Sequence, residues 1–462
     1  MHPRLALLLI TILAAGCGAR TLTVGPEIRI GPPRFRKRRN QHIPQVCAVA
    51  KDQYLVVWQE GYAGVGGESS VLGCSVREGT PRRIFSIALG IPAGIGDEAL
   101  QRTSEVPVVA HAARSGKALV IWQELVRGKQ YDIRGFLFPS PSEEPPPGLQ
   151  DLSGMLPRSA HLPVLTLAST PHNEVLPSVA SDGKDFLVAW AEYSPEAKSY
   201  APVCARVSSE GKLLDKEPVR LSKSGAAPKA VYNGRDYVVV YDKRDSVWAR
   251  RVSTGGELLD KEALKPSGLM GNAPAVASDG RDAVVLAARV PRPNAWGWHG
   301  PAAITAGRVT RAGKLPEREL NKKMDYVVLA SEGAANVLDR ADWKGREGWP
   351  ASWRGDFPGT TNGTWPTTPM AIASDGREYV AVWTRARLGA YDPCVFADLD
   401  LFAARVSRRA RIRGEPVPAA NAPGTQTRPA IASARRGEWL LVYESVRADG
   451  SVAVYGRLLK LK

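Results

Sequence analysis

Seven times along this chain a short apolar run, a polar turn and a second apolar run follow one another, each run of strand length. The clearest copies are PSVASDGKDFLVAW at 177–190, PAVASDGRDAVVLA at 274–287 and PMAIASDGREYVAVW at 369–383. Weaker copies open at Pro44, Pro107, Pro228 and Pro429 and close on Trp58, Trp122, Tyr241 and Tyr443. Runs this short, bounded by turn residues, predict strands. The pairs Asp182-Gly183, Asn233-Gly234, Asp279-Gly280 and Asp375-Gly376 between them predict hairpins with the positive φ angles of a type I′ turn.

A third strand follows and carries a recurrent arginine, seen as Arg206, Arg251, Arg308, Arg405 and Arg457. A further turn and a short fourth strand complete the unit. Repetition at this scale signals a solenoid, an array or a propeller. Four antiparallel strands repeated seven times predict an all-β fold, a seven-bladed β-propeller whose ring leaves only short, protected sheet edges. The last repeat reaches Lys462 after three strands, while Pro26-Glu27-Ile28-Arg29-Ile30 has no hairpin before it and reads like Glu217-Pro218-Val219-Arg220-Leu221. The N-terminal segment is therefore expected to complete the last blade and lock the ring. The arginines are read as repeated packing or inter-blade salt bridges. The closing aromatics Trp58, Trp122, Trp190, Tyr241, Trp383 and Tyr443 are read as blade core.

In such a ring the turns after strands one and three share one rim, here called the Asp-Gly rim. The turns after strand two and the links between blades share the other, the linker rim. The Asp-Gly turns are short and uniform, and the length variation is assigned to the linker rim: inter-blade insertions at about 139–175 and 315–368, and a long second turn at 388–400. Long irregular connections on a rigid scaffold are where binding residues concentrate.

Net charge adds little to this picture. Lys and Arg total 62 against 46 Asp and Glu, for +16 overall, but the only basic run, Arg34 and Arg36 to Arg39, lacks interleaved aromatics. It is read as a solvated loop, and nucleic acid is not an expected partner.

The N-terminus changes more. Arg4, the apolar stretch 5–13 and small residues ending at Cys17 read as an export signal over 1–16, too short to span a bilayer, which takes roughly 20 apolar residues. Leu13-Ala14-Ala15-Gly16-Cys17 resembles the bacterial lipobox, although Ala14 stands where leucine is common. The resemblance implies a lipid on the Cys17 thiol. The expected organisation is a signal peptide at 1–16, a lipidated tether at 17–22 and one propeller at 23–462. The expected location is the outer membrane or cell surface rather than the inner membrane. The tether, reaching roughly 20 Å at most, would turn the Asp-Gly rim or blade edge toward the membrane and the linker rim away from it.

No catalytic constellation stands out. Cys47, Cys74, Cys204 and Cys394 are widely spaced with no CxxC pair, so no zinc site is read. Cys47 and Cys74 fall two strand spacings apart, roughly 9.5 Å, beyond a disulfide's reach. His42, His161, His172 and His299 are assigned to the linker rim without ligand spacing. Neither metal nor cofactor is implied. Two features mark the linker rim. Trp296, Trp298, Trp343, Trp349, Trp353 and Trp365, half of the 12 tryptophans, are candidates for stacking on sugars or anchoring a protein. Glu60, Glu124, Glu192, Asp242 and Glu444 follow the second strand in five blades, as salt-bridge partners or rim carboxylates.

The PxVASDGxxxLVVW hairpin followed by ARVSxxGxL resembles the repeats of uncharacterised exported bacterial β-propeller lipoproteins, across nearly all of the chain past Cys17 except the two long insertions. That resemblance implies fold and address and no shared activity. The SDG turns differ from sialidase Asp-boxes, where Ser, Asp and Gly alternate, and Asp398 with Asp400 is only a fragment of an integrin-like calcium loop. The sequence thus points to a non-catalytic, envelope-anchored binding or scaffold protein with a protein or glycan partner. The alternative is a carbohydrate-active hydrolase using carboxylates of the same rim.

Overall fold

The computed structural model describes residues 20–32, 40–61, 69–88, 102–126, 130–139, 164–244, 246–265, 269, 272–289, 302–313, 327–329, 370–386, 399–447 and 451–462. Their strands form seven antiparallel sheets, one for each repeat. The chain is a seven-bladed β-propeller.

Two short N-terminal strands, β1 (Leu22–Val24) and β2 (Ile28–Arg29), come first and belong to the last blade. Blade one is β3 (Gln41–Ala50), β4 (Gln53–Gly61), β5 (Ser69–Arg77) and β6 (Thr80–Ala88). Blade two is β7 (Arg102–Ala112), β8 (Lys117–Val126), β9 (Gln130–Phe138) and β10 (Leu165–Ala168). Blade three is β11 (Glu174–Ser181), β12 (Phe186–Ser194), β13 (Ser199–Val207) and β14 (Val219–Arg220). Blade four has β15 (Ala226–Tyr232), β16 (Tyr237–Asp242) and β17 (Val247–Val252), its outer edge held by isolated bridges from Val252 to Leu258 and from Ala249 to Leu264.

Blade five is β18 (Asn272–Ser278), β19 (Ala283–Arg289), β20 (Ala302–Val309) and β21 (Val327–Leu329). Blade six is β22 (Met370–Ser374), β23 (Tyr379–Ala386), β24 (Leu399–Val406) and β25 (Ile412–Ala420). Blade seven is β26 (Thr425–Arg435), β27 (Glu438–Val446) and β28 (Val452–Leu461). Against β28 lie β1, in register Leu22 to Leu461, and β2, in register Ile28 to Gly456. The N-terminal segment thus completes the last blade as the sequence predicts.

The ring's cores lie between blades. One apolar cluster joins each neighbouring pair, and the closing aromatic of a blade packs against the blade before it. Trp122 packs with Leu55 and Val57, Trp190 with Leu119 and Ile121, and Trp58 with Leu440 and Val442 across the seam. Trp58, Trp122, Trp190, Tyr241 and Tyr443 are wholly buried. Side chains alternate across a strand, so the residue after each closing aromatic faces the following blade.

Three local expectations need correction. First, the insertions at about 139–175 and 315–368 are not purely inter-blade, because each contains a fourth strand. β10 pairs with β9, and β21 with β20. The connections at 140–163 and 314–326 therefore join strands three and four on the Asp-Gly rim, leaving 330–369 as a true link between blades.

Second, the Asp-Gly turns are not type I′. Only the glycine has positive φ, as at Gly183 (99°), Gly280 (82°) and Gly376 (87°). Asp182 Oδ1 accepts the N–H groups of Lys184 (2.7 Å) and Asp185 (2.9 Å), and Asp279, Asp375 and Asn233 do the same in their own turns. An aspartate whose side chain accepts the amides two and three residues on is held as an Asx turn.

Third, in six blades the proline does not start the first strand but lies within it. The residue before proline is left-handed at Ile43, Val106, Leu176, Ala227 and Arg428, with φ between 47° and 57°. The ladder slips there, for example between Val175 and Ser178.

The recurrent arginines are structural. Their ion pairs lie within a blade, with Arg206 to Asp215 at 2.6 Å, Arg251 to Asp260 at 2.6 Å and Arg405 to Glu378 at 3.4 Å. Their reach to the next blade ends on carbonyls instead: Thr254 at 2.9 Å from Arg206, and Arg311 at 2.8 Å from Arg251.

Candidate functional site

The strand-two carboxylates sit inside their strands, at the linker-rim end, rather than after them. Each is engaged. Arg220 donates to Glu192 at 2.7 Å, Arg134 lies 3.4 Å from Glu124, and Asp242 accepts the Ala226 N–H at 3.1 Å. Glu60, opposite Gln41 and Ser70, also has its partners. Glu444 is the most tightly held. Arg428 lies at 2.9 Å, His42 at 3.4 Å, and the Ile43 N–H donates to it at 2.5 Å. Burial pushes this carboxyl up, but Arg428, His42 and the Ile43 amide outweigh burial and hold it down at about 2.

Glu444 belongs to a repeated device that the sequence reading missed. It follows the closing aromatic, and so do Gln59 and Gln123, both buried. Gln59 Oε1 accepts the N–H of Val106 at 3.2 Å, and Gln123 Oε1 accepts that of Leu176 at 3.0 Å. In each case a strand-two side chain of one blade holds the left-handed residue before the proline of the next. A left-handed non-glycine residue costs of order 1–3 kcal/mol, and a buried N–H without an acceptor about as much again. The acceptor removes the second penalty and ties neighbouring blades together. The signal was the residue after the aromatic in the two Trp-Gln-Glu triplets, at Trp58 and Trp122.

Between blades two and three the same rim gathers acidic groups, several of which the sequence reading did not single out. Arg134 pairs with Asp132 at 2.8 Å as well as with Glu124, and Ser169 donates to Asp132 at 2.9 Å. Glu174 stands opposite Glu192 in the ladder and accepts both the amide and the hydroxyl of Thr170. Beneath them Tyr131 donates to Glu105 at 3.2 Å, both fully or nearly fully buried. Burial first, then the nearby Asp132 and Glu192, push the Glu174 carboxyl up to about 8, against the pull of its Thr170 bonds. Its side chain is wholly enclosed, and Oε2 meets no hydrogen-bond partner among the described residues. At neutral pH it is a protonated acid shut inside the wall, out of a substrate's reach.

Among the described residues no group of three His, Cys, Asp or Glu side chains is arranged to hold a metal ion. His42 is part of the Glu444 contact, and His172 lies exposed in the β10–β11 turn. Trp296, Trp298, Trp343, Trp349, Trp353, Trp365, Cys17, Cys394, His161 and His299 lie outside the described residues. Chain connectivity places Trp296 and Trp298 between β19 and β20, and the other four tryptophans between β21 and β22. Both connections open on the linker rim.

No protein-family model matches the chain, and no curated protein matches it in sequence. Solved structures do resemble it in shape. A protein of unknown function from Dyadobacter fermentans covers 96% of this chain and 99% of its own length, with 10% identity and a TM-score of 0.46. The polysaccharide lyase Uly1 covers 96% and 100%, with 9% identity and a TM-score of 0.45. An α-L-arabinofuranosidase from Fusarium graminearum covers 95% and 98%, with 10% identity and a TM-score of 0.43.

Proposed function

We propose that this protein is a non-catalytic binding or scaffold protein of the bacterial envelope, anchored through a lipid on Cys17, whose linker rim engages a protein or glycan partner. The observation that carries the reading is the engagement of all five strand-two carboxylates. A glycosidase needs two carboxyl groups free to reach one substrate, about 5–10 Å apart. Here those carboxylates are bound up in the wall, and Glu174, the one acid raised toward neutrality among the described residues, is enclosed. What the rim offers a partner is instead its connections, including the tryptophan-bearing segments 290–301 and 330–369.

The test is capture from envelope extracts with the intact chain and with a chain lacking 342–365. The expected result is a partner held by the first and lost by the second. Identical profiles would remove that segment from the interface. Hydrolysis of envelope glycans by the intact chain, abolished in E124Q or E192Q, would favour the hydrolase reading. Labelling with a radioactive fatty acid, present in the wild type and absent in C17S, checks the anchor.

A further inference from the structure

The Asp-Gly rim, opposite the rim discussed above, carries a second surface. At each Asp-Gly turn the acid is turned inward onto backbone amides, while the basic residue after the glycine points out. Lys184, Arg235, Arg281 and Arg377 occupy this position in blades three to six, and all are exposed. Lys51, Arg114 and Arg436 are exposed at the same inner turn of blades one, two and seven. Lys184 pairs with Asp185 at 3.4 Å, Arg235 with Asp236 at 3.0 Å and Arg114 with Asp182 at 3.6 Å, and Glu78, Glu210 and Glu257 stand exposed at the outer turns, while several other acids of this rim are drawn in. Asp185 accepts the Ser209 amide at 3.0 Å, Asp282 pairs with Arg308, and Asp215 and Asp260 pair with Arg206 and Arg251. One exposed cation per blade at the inner turn gives a ring of basic side chains, in which acids are outnumbered.

The perimeter of the same rim is apolar. Among the described residues six large hydrophobic side chains are exposed: Val164, Leu213, Leu214, Leu258, Leu259 and Ile412, between 37% and 45%. All six lie at the outer turn, where the fourth position of blades two, three, four and six begins. Lys212, Lys216, Lys261, Arg411 and Arg413 flank them and are exposed. Scattered exposed leucines need no explanation, but six confined to one turn position on one rim do. The chain also enters the fold here. Thr21 pairs with Lys462, and the Arg20 carbonyl accepts from Arg405 at 2.6 Å. Cys17 is three residues upstream, within about 10 Å.

We infer that the Asp-Gly rim docks flat on a bilayer containing anionic phospholipid, the inner cations meeting headgroups and the perimeter leucines entering the interface. Charge complementarity, the ring of inner cations and the apolar perimeter fit a membrane. A soluble polyanion would use the cations and leave the leucines without a role. This surface is separate from the partner-binding rim, and its chemistry does not require the lipid on Cys17.

The test uses unlipidated protein of residues 18–462, which holds every strand of the seven sheets. It is sedimented with vesicles of phosphatidylglycerol and phosphatidylcholine, or of phosphatidylcholine alone. Binding to the anionic vesicles only is expected, weakening as salt rises. Each of K184A, R235A, R281A and R377A should lower it about fivefold, the effect of one cation at an anionic surface. L213S/L214S/L258S/L259S should lower vesicle binding and leave binding to heparin unchanged, whereas K198A/K223A on the linker rim should change neither. Unchanged melting temperatures show that the variants fold. Equal binding to both vesicle types would overturn the inference. So would cation variants that bind like the wild type, or a leucine variant that keeps full vesicle binding, which would mark a polyanion site.

Discussion

The Glu444 carboxylate in the last blade accepts the backbone N–H of Ile43 in the first, 401 residues earlier in the chain, at 2.5 Å. The ring is therefore closed twice at one seam: on the inside by this contact, and on the outside by β1 and β2 against β28. Between the two closures lies the apolar cluster of Trp58, Tyr54, Leu440 and Val442.

The inner closure is sensitive to substitution and to acid. E444A leaves the Arg428 guanidinium and the Ile43 amide without their acceptor, an uncompensated buried charge worth roughly 3–5 kcal/mol. E444Q, which keeps an acceptor for Ile43, should cost less. Because the folded carboxyl lies near 2, below its unfolded value of 4.5, its stabilisation is complete above 4.5 and is lost as pH falls through 2. Denaturant unfolding at pH 7 and pH 3 should show wild type and E444A converging in acid.

Q59L and Q123L each remove the acceptor of one left-handed amide while preserving side-chain volume. Each should destabilise by about 1–3 kcal/mol, the penalty of a buried unsatisfied donor. The double variant should be close to the sum, since the two contacts join different blade pairs. Chemical denaturation measures both.

Glu174 should work in the opposite sense to Glu444. Its folded carboxyl is raised from 4.5 to about 8, so the folded state is favoured below pH 4.5 and loses stability as pH climbs through 8. The melting temperature of the wild type should fall between pH 5 and pH 9 by more than that of E174Q. Parallel profiles would mean that the carboxyl is ionised throughout.

Burial pushes the thiols of Cys47, Cys74 and Cys204 up to about 12, and all three are unpaired in the fold. A buried thiol with little thiolate is inert. Native protein should therefore leave the buried Cys74 and Cys204 unlabelled by maleimide at pH 7 and the half-buried Cys47 only slowly labelled, with full labelling of all three appearing on denaturation. Mass spectrometry of the labelled peptides distinguishes them from Cys394.

Hairpins, blade count and the displaced N-terminal strand were legible in the sequence because each has a local signal: Asp-Gly turns, closing aromatics, and an orphan β pattern at 26–30. What lay hidden depends on pairings between distant residues. Leu165 to Ala168 form a fourth strand only because β9 is there to pair with, and nothing in Leu-Thr-Leu-Ala marks it off from the insertion around it. The left-handed positions before the prolines carry Ile, Val, Leu, Ala and Arg, with no glycine to announce them. The carboxylates lie inside their strands, at the linker-rim ends. Their partners, such as Arg428 for Glu444 and Arg220 for Glu192, come from strands that periodicity cannot align.

The outer closure also imposes an order of events. Thr23 bonds to the carbonyl of Lys460, 437 residues later, so the earliest strand to be synthesised has no mate until the final blade has been made. Until then the first blade lacks a neighbour on one side. The last blade is complete only once β28 has been made and β1 has paired with it. A product cut short before β28 would leave its own beginning unpaired and would carry that defect where quality-control proteases can find it.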